Sequence, residues 1–221
     1  MSRGTEDQSA RLVGSVCLDG WASSGKTTLA RSVGMALNLP AIHTGMLYRS
    51  TALLWLSGDR ADWRELAEGA SEPSTFRACV SWPSRPAIGP PGIWDDDVTL
   101  AVTRVAREFP VRDTLNDSIR RFVVRFGPAV LEGRDTGIRT VPEARVRFFL
   151  NCDDSVRAAR ARPNGRLMER DGADKMITDL EAQLDSYVEL DTAQISVLAA
   201  TEMIVKAYAT AFDLPGGDLH E

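Results

Sequence analysis

The chain has 221 residues, 43% hydrophobic and 26% charged. That is enough apolar matter for one or two compact units with a sizeable core, and it excludes a mini-protein or a disordered tail. Twenty-six Lys and Arg stand against 31 Asp and Glu, a formal net charge of −5, so no global positive field exists to hold nucleic acid or an anionic membrane surface, and neither is an expected partner.

Met1 to Arg11 is polar, without the apolar region of a signal peptide, and no stretch approaches 18 uninterrupted apolar residues. Cys17, Cys79 and Cys152 lack metal-ligand spacing and are odd in number, as core thiols of a reducing compartment would be. A soluble, cytoplasmic protein is expected. Leu12 to Leu18 reads as a short buried strand, followed by a glycine-bounded turn and a helix with Leu29, Val33 and Leu37 on one face. A second helix is expected over Tyr48 to Leu56 and an acidic one near Asp62 to Glu68. Pro73, Pro83, Pro86, Gly89, Pro90, Pro91 and Gly92 then crowd the chain, so Glu72 to Asp95 should hold short strands and turns. Helical periodicity returns over Val98 to Arg107 and Arg112 to Phe126; Ala129 to Leu131 and Val146 to Leu150 look like core strands. Helices over Asp154 to Arg162 and Ser196 to Phe212 close the chain. Apolar strands alternating with helices point to an α/β fold with a parallel sheet covered on both faces.

The run Gly20-Trp21-Ala22-Ser23-Ser24-Gly25-Lys26-Thr27, with Thr28 next, matches G-x-x-x-x-G-K-[ST] between the first strand and the first helix. In this composition random placement would give on the order of 0.002 such matches. Its glycines let successive backbone N–H groups turn toward phosphate oxygens, and the helix adds its positive dipole end. Lys26 then reaches the transferred phosphate and the Thr27 hydroxyl ligates Mg²⁺, so a nucleoside triphosphate with Mg²⁺ is the expected ligand pair, which by itself does not separate a switch GTPase, a motor ATPase and a small-molecule kinase. Further on, His43-Thr44-Gly45-Met46-Leu47-Tyr48-Arg49 opens the second helix, where a hydroxyl, a helix N-terminus and a guanidinium can grip an anion together. Taken alone, Thr44 serves equally as a helix cap and Arg49 as a surface charge. Arg134 emerges at the carboxyl end of a strand, where open α/β sheets bind ligands. Glu132 can orient a magnesium-bound water or be ordinary loop charge.

Together the Gly20 to Thr27 run, TGMLYR, Glu132-Gly-Arg134-Asp135-Thr-Gly137, the Arg170-Asp171-x-x-Asp174 run and Leu190-Asp191-Thr192 make the chain resemble the bacterial cytidylate kinases, from about Val13 to Phe212. The resemblance implies a P-loop fold: a five-stranded parallel sheet flanked by helices, with an inserted monophosphate-binding domain and a short lid. The divisions it suggests are core 1–43, insert 44–97, core 98–156, lid 157–175 and core 176–221. It implies phosphorylation of CMP or dCMP by ATP in a monomer. Arg134 would clamp phosphate, and Asp135 would accept from the cytosine amino group. Thr103 and Arg112 would read the pyrimidine edge, Arg157, Arg160 and Arg170 would close over the γ-phosphate, and Asp171 and Asp174 would meet lid arginines or sugar hydroxyls. The chain departs from the pattern at Trp21, His43 and Ile177, where Pro, Asp and Arg are usual, and its lid is shorter. Those departures leave open a relative acting on a modified pyrimidine monophosphate or another small phosphorylated metabolite, and a non-catalytic ATP-binding regulator. Trp21, Trp82 and Trp94 are expected to pack rather than stack on a base.

Overall fold

The computed structural model describes residues 3–58, 62–161 and 185–214. Its strands are β1 (Val16–Gly20), β2 (Ala41–His43), β3 (Val80–Ser81), β4 (Val130–Gly133), β5 (Val146–Asn151) and β6 (Val188–Asp191). They form one sheet in the order β3-β2-β4-β1-β5-β6. Five of them run parallel, as expected, and the two-residue β3 adds an antiparallel edge beside β2. Around the sheet lie α1 (Arg3–Val13), α2 (Lys26–Leu37), α3 (Thr44–Leu56), α4 (Trp63–Ala70), α5 (Pro73–Ala78), α6 (Asp96–Val105), α7 (Phe109–Phe126), α8 (Asp154–Arg160) and α9 (Val197–Ala211), with a π-helical turn over Thr136–Thr140.

Every residue of β1 is buried, the signature of a strand covered on both faces, and the side chains alternate between two cores. Cys17 joins Ile42, Leu47, Leu115, Ile119 and Leu131 under α3 and α7. Val16 and Leu18 join Leu29, Val33, Phe148, Leu150 and Ile204 under α2 and α9. The connection from β1 runs to β2 on one side while that from β5 runs to β6 on the other, which opens a crevice at the carboxyl end of the sheet beside β1.

Three expectations change. Leu12 and Val13 belong to α1, and β1 starts at Val16; Leu12 is buried and Arg11 donates to the Val124 carbonyl of α7 at 2.7 Å, so tertiary contact decides the helix. Within Glu72 to Asp95 the structure places a six-residue helix, α5, with Pro73 in its first turn, where a missing N–H is harmless. β6 was not anticipated, because three of its four residues are exposed and its apolar pattern is faint. Arg162, Arg170, Asp171, Asp174 and Ile177 lie outside the described residues. Among the described residues, no helix is long and apolar enough to cross a membrane.

Candidate active site

β1 ends at Gly20, with φ 149°, and an added Cβ there would run into the Leu150 carbonyl oxygen, so a side chain collides with backbone. Gly25 caps α2 from the left-handed region, φ 93°, and contributes no side-chain hydrogen bond. An anion is the natural partner for the first N–H groups and positive dipole end of such a helix. Lys26 is buried, and its Nζ donates to the Trp21 carbonyl at 2.5 Å. Arg134 donates to the Gly20 carbonyl at 2.5 Å, so two cations lean on the loop's own backbone. The buried Ser24 Oγ has no hydrogen-bond partner among the described residues, an orphan of the kind a bound oxyanion satisfies.

Behind the loop, Thr27 Oγ1 donates to Glu132 Oε1 at 3.1 Å, and His43 Nδ1 lies 3.2 Å from the same oxygen. Burial pushes the Glu132 carboxyl up, but the His43 hydrogen bond, the Lys26 charge and the Thr27 hydroxyl outweigh it and hold Glu132 below the usual carboxylate range. A hydroxyl and an ionised carboxylate are hard oxygen donors suited to magnesium. No cluster of three or more His, Cys, Asp or Glu side chains able to hold a metal occurs among the described residues.

The opposite wall is built from helices. Arg49 of α3 is buried, donates to Thr99 Oγ1 at 2.9 Å and to the Ile93 carbonyl at 3.2 Å, and sits 4.7 Å over the Trp94 ring. Arg112 of α7 is paired with Asp135, which Arg139 also approaches at 3.5 Å. Thr44 donates to the Glu132 carbonyl at 2.8 Å, which ties the start of α3 to β4. Burial pushes the Tyr48 hydroxyl well above its ordinary value, so it stays protonated.

One cavity of about 650 Å³ gathers these groups. Ala22 to Thr28 line it, as do Thr44, Tyr48, Arg49, Thr103, Arg112, Glu132, Arg134, Asp135 and Arg160. Gly20 and Trp21 do not; they supply the carbonyls that receive Arg134 and Lys26. Arg157, expected among the closing arginines, is instead buried behind the loop, donating to the Ala22 carbonyl at 3.2 Å and pairing with Asp154. Arg160 does reach the cavity, anchored on the Thr192 carbonyl at 2.9 Å. Trp21 packs edge-on to Phe149 and Trp82 packs near Phe122, as expected, whereas Trp94 lines the cavity.

Sequence reasoning missed Asp19. It is fully buried at the end of β1 and accepts hydrogen bonds from Thr136 N, Thr136 Oγ1, Gly137 N and Tyr187 Oη, all at 2.8–3.0 Å. Burial raises its carboxyl despite those donors. The signal was there: a lone carboxylate in the otherwise apolar run Val-Cys-Leu-Asp-Gly. Asp19 thus fastens the turn after Arg134 and Asp135 to the strand that delivers the phosphate loop.

The family model described as cytidylate kinase matches residues 16–197. The cytidylate kinase of Acidiphilium cryptum (strain JF-5) is 38% identical over 80% of this chain and 77% of its own length. That of Methylocella silvestris is 33% identical over 84% and 79%, and that of Neisseria meningitidis serogroup A is 32% identical over 76% and 78%.

Proposed function

The chain belongs to the cytidylate kinase family, and from that premise we propose that it transfers the γ-phosphoryl group of ATP to the 5′-phosphate of CMP or dCMP, releasing ADP and the diphosphate. The observation that carries the reading is the shared cavity, in which the phosphate loop and the Arg49, Thr103, Arg112 and Asp135 wall face one space. Arg134 joins the two ends: its guanidinium bonds Gly20 and its chain neighbour is Asp135. The acceptor phosphate is already an anion at neutral pH, so no general base is needed, and rate comes from positioning and charge neutralisation.

Lys26 leaves the Trp21 carbonyl for the transferred phosphate, and Ala22 to Thr28 hold the triphosphate. Thr27 and Glu132 would hold magnesium, which supplies positive charge against the phosphate oxygens when bound. Thr44, Tyr48 and Arg49 receive the acceptor, with Arg134 against its phosphate. Arg160, and Arg170 beyond the described residues, complete the neutralisation; Asp174, also beyond them, meets the acceptor sugar. Arg157 acts by holding the loop from behind. An ionised Asp135 accepts and cannot donate, so it suits the amino group of cytosine and rejects the carbonyl oxygen of uracil, while Arg112 and Thr103 serve the pyrimidine acceptors. Residues 44–97 act as the monophosphate-binding insert and 157–175 as the lid, in a cytoplasmic monomer.

A coupled ADP-release assay with ATP and Mg²⁺ tests this. CMP and dCMP should be consumed in preference to UMP, AMP and non-nucleotide acceptors; a flat acceptor profile overturns the assignment.

A further inference from the structure

Three neighbouring strands at one edge of the sheet carry a row of polar groups, of which the proposed reaction does not yet use Ser81 and His43. Ser81 is on β3, His43 on β2 and Glu132 on β4, and His43 and Glu132 are register partners. All three are buried, His43 to 1% exposure. His43 Nε2 lies 2.7 Å from Ser81 Oγ, and Nδ1 lies 3.2 Å from Glu132 Oε1. The Ala87 N–H donates to Ser81 Oγ at 2.9 Å. These contacts have one consistent polarity for a neutral ring. A carboxylate only accepts, so Nδ1 carries the proton, Nε2 accepts, and the Ser81 hydroxyl donates to it. The row then runs from Ala87 N–H through Ser81 and His43 to Glu132, where Thr27 donates to the same oxygen. Oε1 thus takes two hydrogen bonds while Oε2 takes none among the described residues, and Glu132 lines the cavity.

A buried polar row of this kind is a poor device for stability alone, since an apolar pair fills the same space without desolvating a carboxylate. It is a good device for fixing one orientation. Resting on the reading above, we propose that His43 is a positioning residue for Glu132: anchored on Ser81, its ring holds the carboxylate beside Thr27, where the two would hold the divalent cation carried by ATP.

Calorimetric titration with ATP alone, in Mg²⁺ and separately in EDTA, reads the contribution of the metal as the ratio of the two affinities, with no acceptor and no turnover. His43→Leu should lower that ratio on the order of tenfold, as loss of a partner behind a metal ligand does, with ATP affinity in EDTA unchanged. His43→Asn keeps a donor toward Glu132 and should recover most of the ratio. Ser81→Ala, a mild change that serves if the leucine variant does not fold, should lower it by a smaller factor. An unchanged ratio in His43→Leu, or in Ser81→Ala where the leucine variant does not fold, overturns the proposal. So does an equal loss of ATP affinity in EDTA. Failure of the wild type to phosphorylate CMP would overturn the acceptor assignment and leave this comparison intact.

Discussion

The two ends of the cavity are made of different material. The triphosphate end is mostly backbone: a loop whose shape needs Gly20 and Gly25, a helix terminus, and cations resting on carbonyls. The acceptor end is side chains from separate elements, Arg49 from α3, Thr103 from α6, Arg112 from α7 and Asp135 after β4, and Arg49, Arg112 and Asp135 already have protein partners. Backbone N–H groups recognise what all phosphates share, whereas side chains can tell one base from another, provided the ligand exchanges those partners for its own. Affinity for ATP should therefore be robust, and acceptor choice easy to perturb.

The sharpest way to break that contrast is Lys26→Ala, which removes the loop's own side chain for the transferred phosphate. Transfer should fall roughly 10²- to 10³-fold, the usual loss when a donor to transition-state charge is deleted, with Tm nearly unchanged. Steady-state rates and a thermal melt check both, and surviving transfer would mean that the loop alone carries the chemistry. Next in size is Asp19→Ala, which strikes the joint between the two ends. It leaves Thr136 N, Thr136 Oγ1, Gly137 N and Tyr187 Oη without their acceptor in a dry site, which costs about 3 kcal/mol or more of unfolding free energy. Urea unfolding measures the loss, and a change under 1 kcal/mol, on the order of one weak contact, would show that the joint is slack.

The same contrast explains what could be read beforehand. The loop was legible because its residues are consecutive and its spacing is dictated by phosphate geometry, as were the strands whose apolar runs are unbroken. Arg49 could be singled out but not placed, since its partners Ile93, Trp94 and Thr99 are more than 40 positions away and belong to a breaker-rich stretch and the helix after it. Arg157 reads as a basic helix residue, and only the docking of α8 against the loop turns it inward. α1 and β6 carry weak periodicity and exist because α7 and β5 receive them. Asp19 was visible as a misplaced charge, but its four donors come from residues over 100 positions distant.

Asp135→Asn tests the side-chain end where it should be most discriminating. The amide presents a donor as well as an acceptor, so the preference for CMP over UMP should shrink by about 1–3 kcal/mol, the penalty of a mispaired buried polar group. The ratio of kcat/KM for the two acceptors measures it, and ATP KM should stay within about twofold if the ends are independent. A ratio that holds in Asp135→Asn would place base recognition elsewhere in the cavity.

The smallest effect should come from a pair that touches neither end. Arg120 of α7 grips Glu143 with two nitrogens, at 2.6 and 2.9 Å, and donates to the Thr140 carbonyl at 2.8 Å, which pins the far side of the π-helical turn. The Arg120 hydrogen bonds hold the Glu143 carboxyl below the usual range against its modest burial. A depressed carboxyl stabilises the fold above its unfolded value, and that contribution disappears as pH falls through the folded one. Both side chains are about a third exposed, so solvent screening keeps the pair to about 0.5–1 kcal/mol. Glu143→Gln should lower stability by that amount at pH 7. The difference from wild type should close as the buffer is taken below about pH 4, while acceptor preference stays untouched. A shift in the CMP to UMP ratio in this variant would show that the turn transmits strain to Asp135, and that the acceptor wall is less self-contained than its partners suggest.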